Sequence, residues 1–271
     1  MNDSTPNGNL IGKPDHFFLE VNRLKPESLN KLFDGELLAL CVKDFYPQNL
    51  FPEFNNLVLN HPNKDGYGVD QQIIRTGSSF YDTVGNADFR EEYFNSSMDR
   101  MRDEFLRFSY RTPMYAVILE LMANWLYGVQ FQQLGEKSMW VGSARLFDLV
   151  GCLPHCDNLG FDAPEFDRAL ELKRQLAVNV YSQVPSEGAE IDIWDIHLSQ
   201  EEYNARCIPG SYGIDPAQLP PPDLTICPKV GDLILFDSNC IHMARPSNGL
   251  SIAHSCFVGF YESDRPLTVW S

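Results

Sequence analysis

Positive charge is scarce in this chain. Lysine and arginine together number 21 against 37 aspartates and glutamates, a formal net charge of −16. Such a field repels nucleic acid and anionic membrane surfaces, and no basic stripe offsets it. A chain that edits or reads nucleic acid is therefore not expected. No apolar run approaches the length needed to span a bilayer, so no membrane partner is expected either. The opening residues, Met1 to Asn9, are polar and lack the basic and apolar regions of a signal peptide. Residues 1–15 read as a disordered tail. The seven cysteines are odd in number, and no further cysteine pair follows Cys152, His155 and Cys156 to complete a four-ligand zinc site. They read as reduced, structural thiols of a cytoplasmic protein. Internal repeats and low-complexity tracts are absent.

What is present suggests one domain over residues 1–271. The hydrophobic content of 44% suits a sizeable core. Residues 16–135 look mixed and mostly helical. His16 to Val21 and Glu36 to Lys43 read as strands, Ser28 to Phe33 as a short helix, and Tyr46-Pro47 as the start of another helix. Asn60 to Gly68 reads as a loop. Between Asp88 and Leu126, Phe94, Met98, Met101, Phe105 and Phe108, then Ala116, Leu119 and Met122, recur at spacings of three and four. That is a helical stripe, expected to pack as core, with Thr112-Pro113 opening the second of two helices.

Residues 136–271 change character. Short β-rich segments lie at Met139–Val150, Gln175–Val184, Ala189–Trp194, Asp232–Phe236, Ser251–Tyr261 and Leu267–Trp270, separated by turn-forming residues. The fold class this predicts is mainly β with helices: a double-stranded β-helix, or cupin-like jelly roll, with the helical N-terminal portion packed on the barrel. Glu165 to Lys173 resembles a short helix. Gln200 to Pro222 reads as a long irregular insertion of the kind that covers a site.

The candidate chemistry lies in Leu153-Pro-His-Cys-Asp157 and, far downstream, in Gly231-Asp-Leu-Ile-Leu-Phe-Asp237 followed by His242. Two imidazoles and one carboxylate on one face of a metal, with the opposite positions open, make the site of non-haem Fe(II) oxygenases. On an extended strand His155 and Asp157 would point to the same side and Cys156 to the other. The long gap to His242 places the third ligand on a distant strand that folds back beside the first. The competing reading makes His155 a loop histidine and His242 a core histidine.

With these residues located, the chain resembles the Fe(II)- and 2-oxoglutarate-dependent oxygenases, nearest the free-standing hapalindole and welwitindolinone halogenases and their hydroxylase relatives. The likeness rests on the order of His16-Phe-Phe-Leu-Glu-Val, Arg145-Leu-Phe, Gly231 to Asp237, Phe257-Val-Gly-Phe and Val269-Trp-Ser271. It implies Fe(II) held by His155, Asp157 and His242, with 2-oxoglutarate and O₂ as co-substrates. It also implies oxidation of an unactivated C–H of a small molecule, an amino acid or secondary-metabolite intermediate, by hydroxylation, desaturation or cyclisation, with release of succinate and CO₂. The chain departs from the family in two places. The halogenases carry a small residue where Asp157 stands, so halogenation is not expected. The family's usual basic residue on the last barrel strand is missing, since positions 251 to 254 are Ser, Ile, Ala and His.

A buried carboxylate still needs donors. Arg145 is the first candidate anchor for 2-oxoglutarate because its planar fork suits a carboxylate. Arg245, His254 and Ser251 are the next. Arg145 has an alternative role as an ion-pair partner of Asp148 or another surface acid. Two other functions stay open at this stage: a cupin-type metal dioxygenase that does not use 2-oxoglutarate, and a non-catalytic jelly-roll binding protein. Aromatic residues such as Phe80, Tyr81, Tyr115 and Trp194 are candidates to line a pocket, with core packing as the commoner role.

Overall fold

The computed structural model describes residues 17–271; the expected tail and His16 lie outside the described residues. Strands β1 (Phe18–Val21) and β2 (Ala39–Val42) pair in parallel, joined through helix α1 (Pro26–Phe33). Helix α2 (Phe51–Leu59) follows Tyr46-Pro47 after one short 3₁₀ turn. The segment expected to be only loop contains β3 (Lys64–Gly66), paired with β4 (Ile73–Thr76). Lys-Asp-Gly has no strand propensity of its own, and pairing with β4 supplies its extended form.

The two expected helices are α3 (Ala87–Arg107) and α4 (Pro113–Asn124). The side chains of Asn86 and Thr112 cap them, accepting from the backbone N–H of Phe89 and Tyr115. The expected apolar stripe needs correction. Phe94, Met101 and Phe108 are buried, but Met98, Leu119 and Met122 are exposed. The face of α4 that packs carries Met114, Val117 and Leu121. Because α4 is apolar on most sides, spacings of three and four fit more than one face, and tertiary packing selects among them.

The β-rich part begins with β5 (Val129–Phe131), β6 (Gln133–Leu134), β7 (Lys137–Ser138) and β8 (Ser143–Asp148). After the short helices α5 (Leu159–Asp162) and α6 (Asp167–Leu170) come β9 (Arg174–Gln183) and β10 (Ile191–His197). The insertion expected to be irregular opens with helix α7 (Gln200–Arg206), held by a reciprocal capping box between Ser199 and Glu202. Strands β11 (Leu224–Ile226), β12 (Leu233–Asp237), β13 (Cys240–Ala244), β14 (Leu250–Phe260) and β15 (Leu267–Trp270) complete the fold.

The large sheet runs β1-β2-β12-β9-β14-β8-β4-β3, with β15 on β14 and β5 on β15; a smaller sheet runs β11-β10-β13. The two sheets share an apolar core that includes Ala177 and Phe236 from one and Ile193, Leu224 and Cys240 from the other. This is a double-stranded β-helix. Its central strands are buried on both faces, so their residues alternate between two interiors. Leu176, Val178 and Val180 of β9, with Leu233 and Leu235 of β12, join the core shared with the helices. Gln175, Ala177, Asn179 and Tyr181 of β9 and Phe236 of β12 face the lumen and line a cavity.

That alternation explains His254. It pairs in register with Ala144 and Val180, both on the helix side, and packs edge-on against Phe108 at the end of α3. Its Nε2 is buried with no hydrogen-bond partner among the described residues, and burial alone lowers its pKa to about 4. A neutral imidazole in the folded state and an ordinary one in the unfolded state make stability fall as pH drops from about 6.5 towards 4. The expected loss is on the order of 3 kcal/mol. Substituting His254→Leu should flatten this part of a urea-unfolding pH series, and an unchanged slope would assign the acid sensitivity elsewhere.

Candidate metal centre

Residues 149–158 leave β8 as irregular chain rather than as the expected strand. One backbone bridge fixes them. His155 N–H donates to His242 O at 2.9 Å, and His242 N–H donates to His155 O at 2.8 Å. The close approach requires Gly151, where a Cβ would lie 2.2 Å from the carbonyl oxygen of Ala244. Asp157 is placed by the β12–β13 turn: its N–H donates to Ser238 O at 2.8 Å, and Ser238 Oγ donates back to Asp157 O at 3.2 Å. Since this stretch is not a strand, Cys156 does not point away from the site but lines the same cavity.

The structure brings His155, Asp157 and His242 together, with one ligand atom from each within 4.8 Å of the others. Asp157 Oδ2 lies 3.4 Å from His242 Nε2 and 3.9 Å from His155 Nε2. The two Nδ1 atoms are committed to backbone carbonyls, His155 to Leu153 O at 2.7 Å and His242 to Cys240 O at 3.0 Å. A carbonyl only accepts, so each Nδ1 carries the proton and, in the neutral ring, each Nε2 lone pair is free for a metal. Burial works to raise the pKa of Asp157. While both imidazoles carry a second proton on Nε2, the hydrogen bond with His242 and the charges of His155, His242 and Arg145 outweigh it and hold the carboxyl well below its usual range; a divalent ion takes over that role where the rings are neutral. Two neutral nitrogens and one carboxylate on one side of an open cavity fit a divalent first-row ion with sites left for exchangeable ligands.

The cavity has a volume of about 270 Å³. Arg145 enters it from β8, beside the small Ala253 of β14, its register partner. Its Nε donates to Tyr67 Oη at 3.0 Å, and its guanidinium stands 5.6 Å from the centre of the Phe257 ring. Asp148 is not its partner, and among the described residues no acid lies within ion-pair range. Burial opposes its charge, but Tyr67 and Asp157 more than offset this.

The other anchor candidates are not in the cavity lining. Arg245 is committed to Asp192 by two hydrogen bonds of 2.6 and 2.9 Å. His254 faces the helical layer. Ser251 is buried and donates to Gln183 O at 3.4 Å. Of the candidate aromatics, Phe80 and Tyr81 line the cavity, whereas Tyr115 and Trp194 do not. His61 is buried against Glu104, and His197 pairs with Asp237 at 3.3 Å, both apart from the cavity.

The insertion does cover the site. Ile214 N–H donates to Pro154 O at 2.8 Å, and Leu153 N–H donates to Tyr212 Oη at 3.0 Å. Gly213 permits this docking, since a Cβ there would lie 2.4 Å from Leu153 Cβ. Gln200, Tyr203, Asn204 and Tyr212 thereby line the cavity, as does Asp162 of α5. Sequence reasoning missed these residues individually. The capping box at Ser199 and Glu202 was the one readable sign that a helix would present Tyr203.

No protein-family model matches the chain. Over 91% of its length it superposes on the crystal structure of an N-substituted L-amino acid dioxygenase from Burkholderia ambifaria AMMD, covering 91% of that chain at a TM-score of 0.60 and 16% identity. The complex of that dioxygenase with alpha-KG gives a TM-score of 0.60, 15% identity and the same coverage. The chain shares the double-stranded β-helix fold of that protein. A curated relative, L-gamma-glutamyl-L-propargylglycine hydroxylase from Streptantibioticus cattleyicolor, is 29% identical over 143 residues, covering 51% of each protein. The chain thus spans about half the length of that relative in the match. Among the described residues no helix is long and apolar enough to cross a membrane.

Removing either imidazole should lower Fe(II) affinity by at least about 100-fold, beyond the usual effect of losing an outer-shell partner. Equilibrium dialysis of His155→Ala and His242→Ala under anaerobic conditions measures this, with His197→Gln retaining the unmodified affinity. Retention of tight iron by either alanine variant would remove that histidine from the ligand set.

Proposed function

We propose that this chain is an Fe(II)/2-oxoglutarate-dependent oxygenase that oxidises an unactivated C–H of a small, amino-acid-like molecule. One observation carries the reading. A cationic fork with no acid in ion-pair range among the described residues shares a cavity with the His155, Asp157 and His242 trio. A guanidinium left with unused donors calls for an anionic oxygen ligand, and a dicarboxylate that also chelates the metal meets both demands. A cupin-type dioxygenase without a dicarboxylate co-substrate, or a plain binding protein, leaves Arg145 unexplained.

When bound, Fe(II) with 2-oxoglutarate would supply O₂ activation coupled to oxidative decarboxylation, giving succinate and CO₂ as the substrate is oxidised. The protein's part is positional. His155 and His242 present Nε2, and Asp157 adds one negative charge. Arg145, steadied by Tyr67, would fix the far carboxylate of 2-oxoglutarate. Tyr203 and Tyr212, brought in by the insertion, limit water at the reacting carbon. The finer likeness to the free-standing halogenase and hydroxylase group falls on its hydroxylase side, because Asp157 takes the place that a halide would need. The substrates in the names of the curated hydroxylase and of the B. ambifaria dioxygenase support an amino acid or short peptide as the substrate class.

The test is a substrate screen with amino acids and γ-glutamyl dipeptides, scored by succinate. Oxygenated, desaturated or cyclised product should match succinate one to one, and no chlorinated product should form in excess chloride. Product formed without 2-oxoglutarate, or chlorination by the unmodified chain, would contradict the proposal. Arg145→Gln should raise the apparent KM for 2-oxoglutarate by about 30-fold or more, the cost of leaving a buried carboxylate without its charged partner. Fe(II) affinity should be spared, and an unchanged KM would make Arg145 structural.

A further inference from the structure

Asp162 is a second acid in the cavity that the chemistry above does not use. It closes α5, and its backbone is tightly held. Its N–H donates to Asn158 O at 3.2 Å, and its carbonyl accepts from Arg90 Nη2 at 2.9 Å. Its carboxylate has no hydrogen-bond or ion-pair partner among the described residues. The nearby cation is committed elsewhere: Arg90 pairs with Glu165, donates from Nε to Thr83 Oγ1 at 3.3 Å, and lies over the Phe80 ring. The same cavity is lined by Tyr81, Phe161 and Tyr203. Burial, and then the charge of Asp157, raise the pKa of Asp162 to about 8, with Arg90 pulling the other way. An acid kept short of a counter-charge in a cavity is stabilised by a cation that arrives with the ligand.

The cavity carries groups of both signs from different elements. Arg145 enters it from β8 and Asp162 from α5, and the metal ligand Asp157 lines it with them. We propose that Asp162 recognises a free primary ammonium on the substrate, so that the substrate is a small amine-bearing molecule, such as an α-amino acid or an amino-terminal dipeptide. Arg145 takes the anionic co-substrate, and Asp162 takes the ammonium. Tyr81 and Tyr203 line the same cavity. The inference rests on the reading of this cavity as an oxygenase active site.

The probes are L-leucine, L-norvaline and L-γ-glutamyl-L-norvaline, each paired with its N-acetyl form, which lacks the ammonium. Binding is measured by calorimetry on the full chain, both metal-free and loaded anaerobically with Fe(II) and 2-oxoglutarate. At least one free amine should bind about 30-fold or more tightly than its N-acetyl form, the scale of a buried charge pair. Asp162→Asn, nearly isosteric, should abolish that preference while leaving the N-acetyl affinities and Fe(II) affinity unchanged. Equal binding of each acetylated and free form, binding by no free amine, or an amine preference that survives in Asp162→Asn would each overturn the proposal. The acetylation comparison needs no variant, so a folding defect in Asp162→Asn does not shield it. Failure to bind Fe(II) or 2-oxoglutarate would count against the oxygenase reading, and the metal-free titrations still judge the amine preference separately.

Discussion

The site depends on two backbone hydrogen bonds exchanged between His155 and His242. One histidine sits on β13 of the small sheet and the other on chain that has no strand of its own. The exchange puts their Cα atoms directly opposite each other, so that the imidazole rings stand 4.4 Å apart. The rest follows from holding that bridge in place. Gly151 lets the irregular chain approach β13, Ser238 fixes Asp157 from the neighbouring turn, and the covering insertion docks through Pro154 and Leu153. Each contact engages backbone, so the ligand side chains are left free to face the metal. A site built this way is preorganised by main-chain geometry before any ion binds.

The cavity also balances charge in an unusual way for so acidic a chain. Asp157 is held ionised by the imidazoles around it and by Arg145, whereas Asp162, with its nearest cation committed to Glu165, is pushed towards its neutral form. Two carboxyl groups in one cavity are thus driven apart in protonation by their surroundings. Arg145 carries the opposite charge with no acid within ion-pair range among the described residues, only the charge of Asp157 acting from further off. Charges left incomplete inside a protein are costly, and a cavity lined with them is expected to be completed by a metal and by ligands of complementary charge.

Much of this was legible in the sequence. Strands β8, β9, β10, β12, β14 and β15 follow from short β-rich runs between turn residues, and β15 matches the expected bounds Leu267–Trp270, whereas β11 and the His242-bearing β13 were not expected as strands. The convergence of His155, Asp157 and His242 follows from ligand chemistry, and the entry of Arg145 into the same cavity from its place on the strand before them. What was not legible depends on partners distant in sequence. A strand was expected around His155 because alternate residues share a face on extended chain; instead a single bridge to β13 aligns them. His254 looked available near the end of the barrel, but its parity on β14 turns it towards Phe108. Arg245 looked available until β10 placed Asp192 against it. Tyr67, in a stretch that reads as loop, reaches Arg145 only because β3 and β4 extend the large sheet. The buried face of α4 was ambiguous because a nearly all-apolar helix offers more than one stripe.

Anaerobic titration of the metal-free chain with Fe(II), then with 2-oxoglutarate, tests the central claim most directly. The account predicts one Fe(II) per chain and, on adding 2-oxoglutarate, a weak visible charge-transfer band from its chelate. In His155→Ala the band should be absent, and in Arg145→Gln it should require far more 2-oxoglutarate. Stoichiometric iron binding with no band at any 2-oxoglutarate concentration would contradict the account.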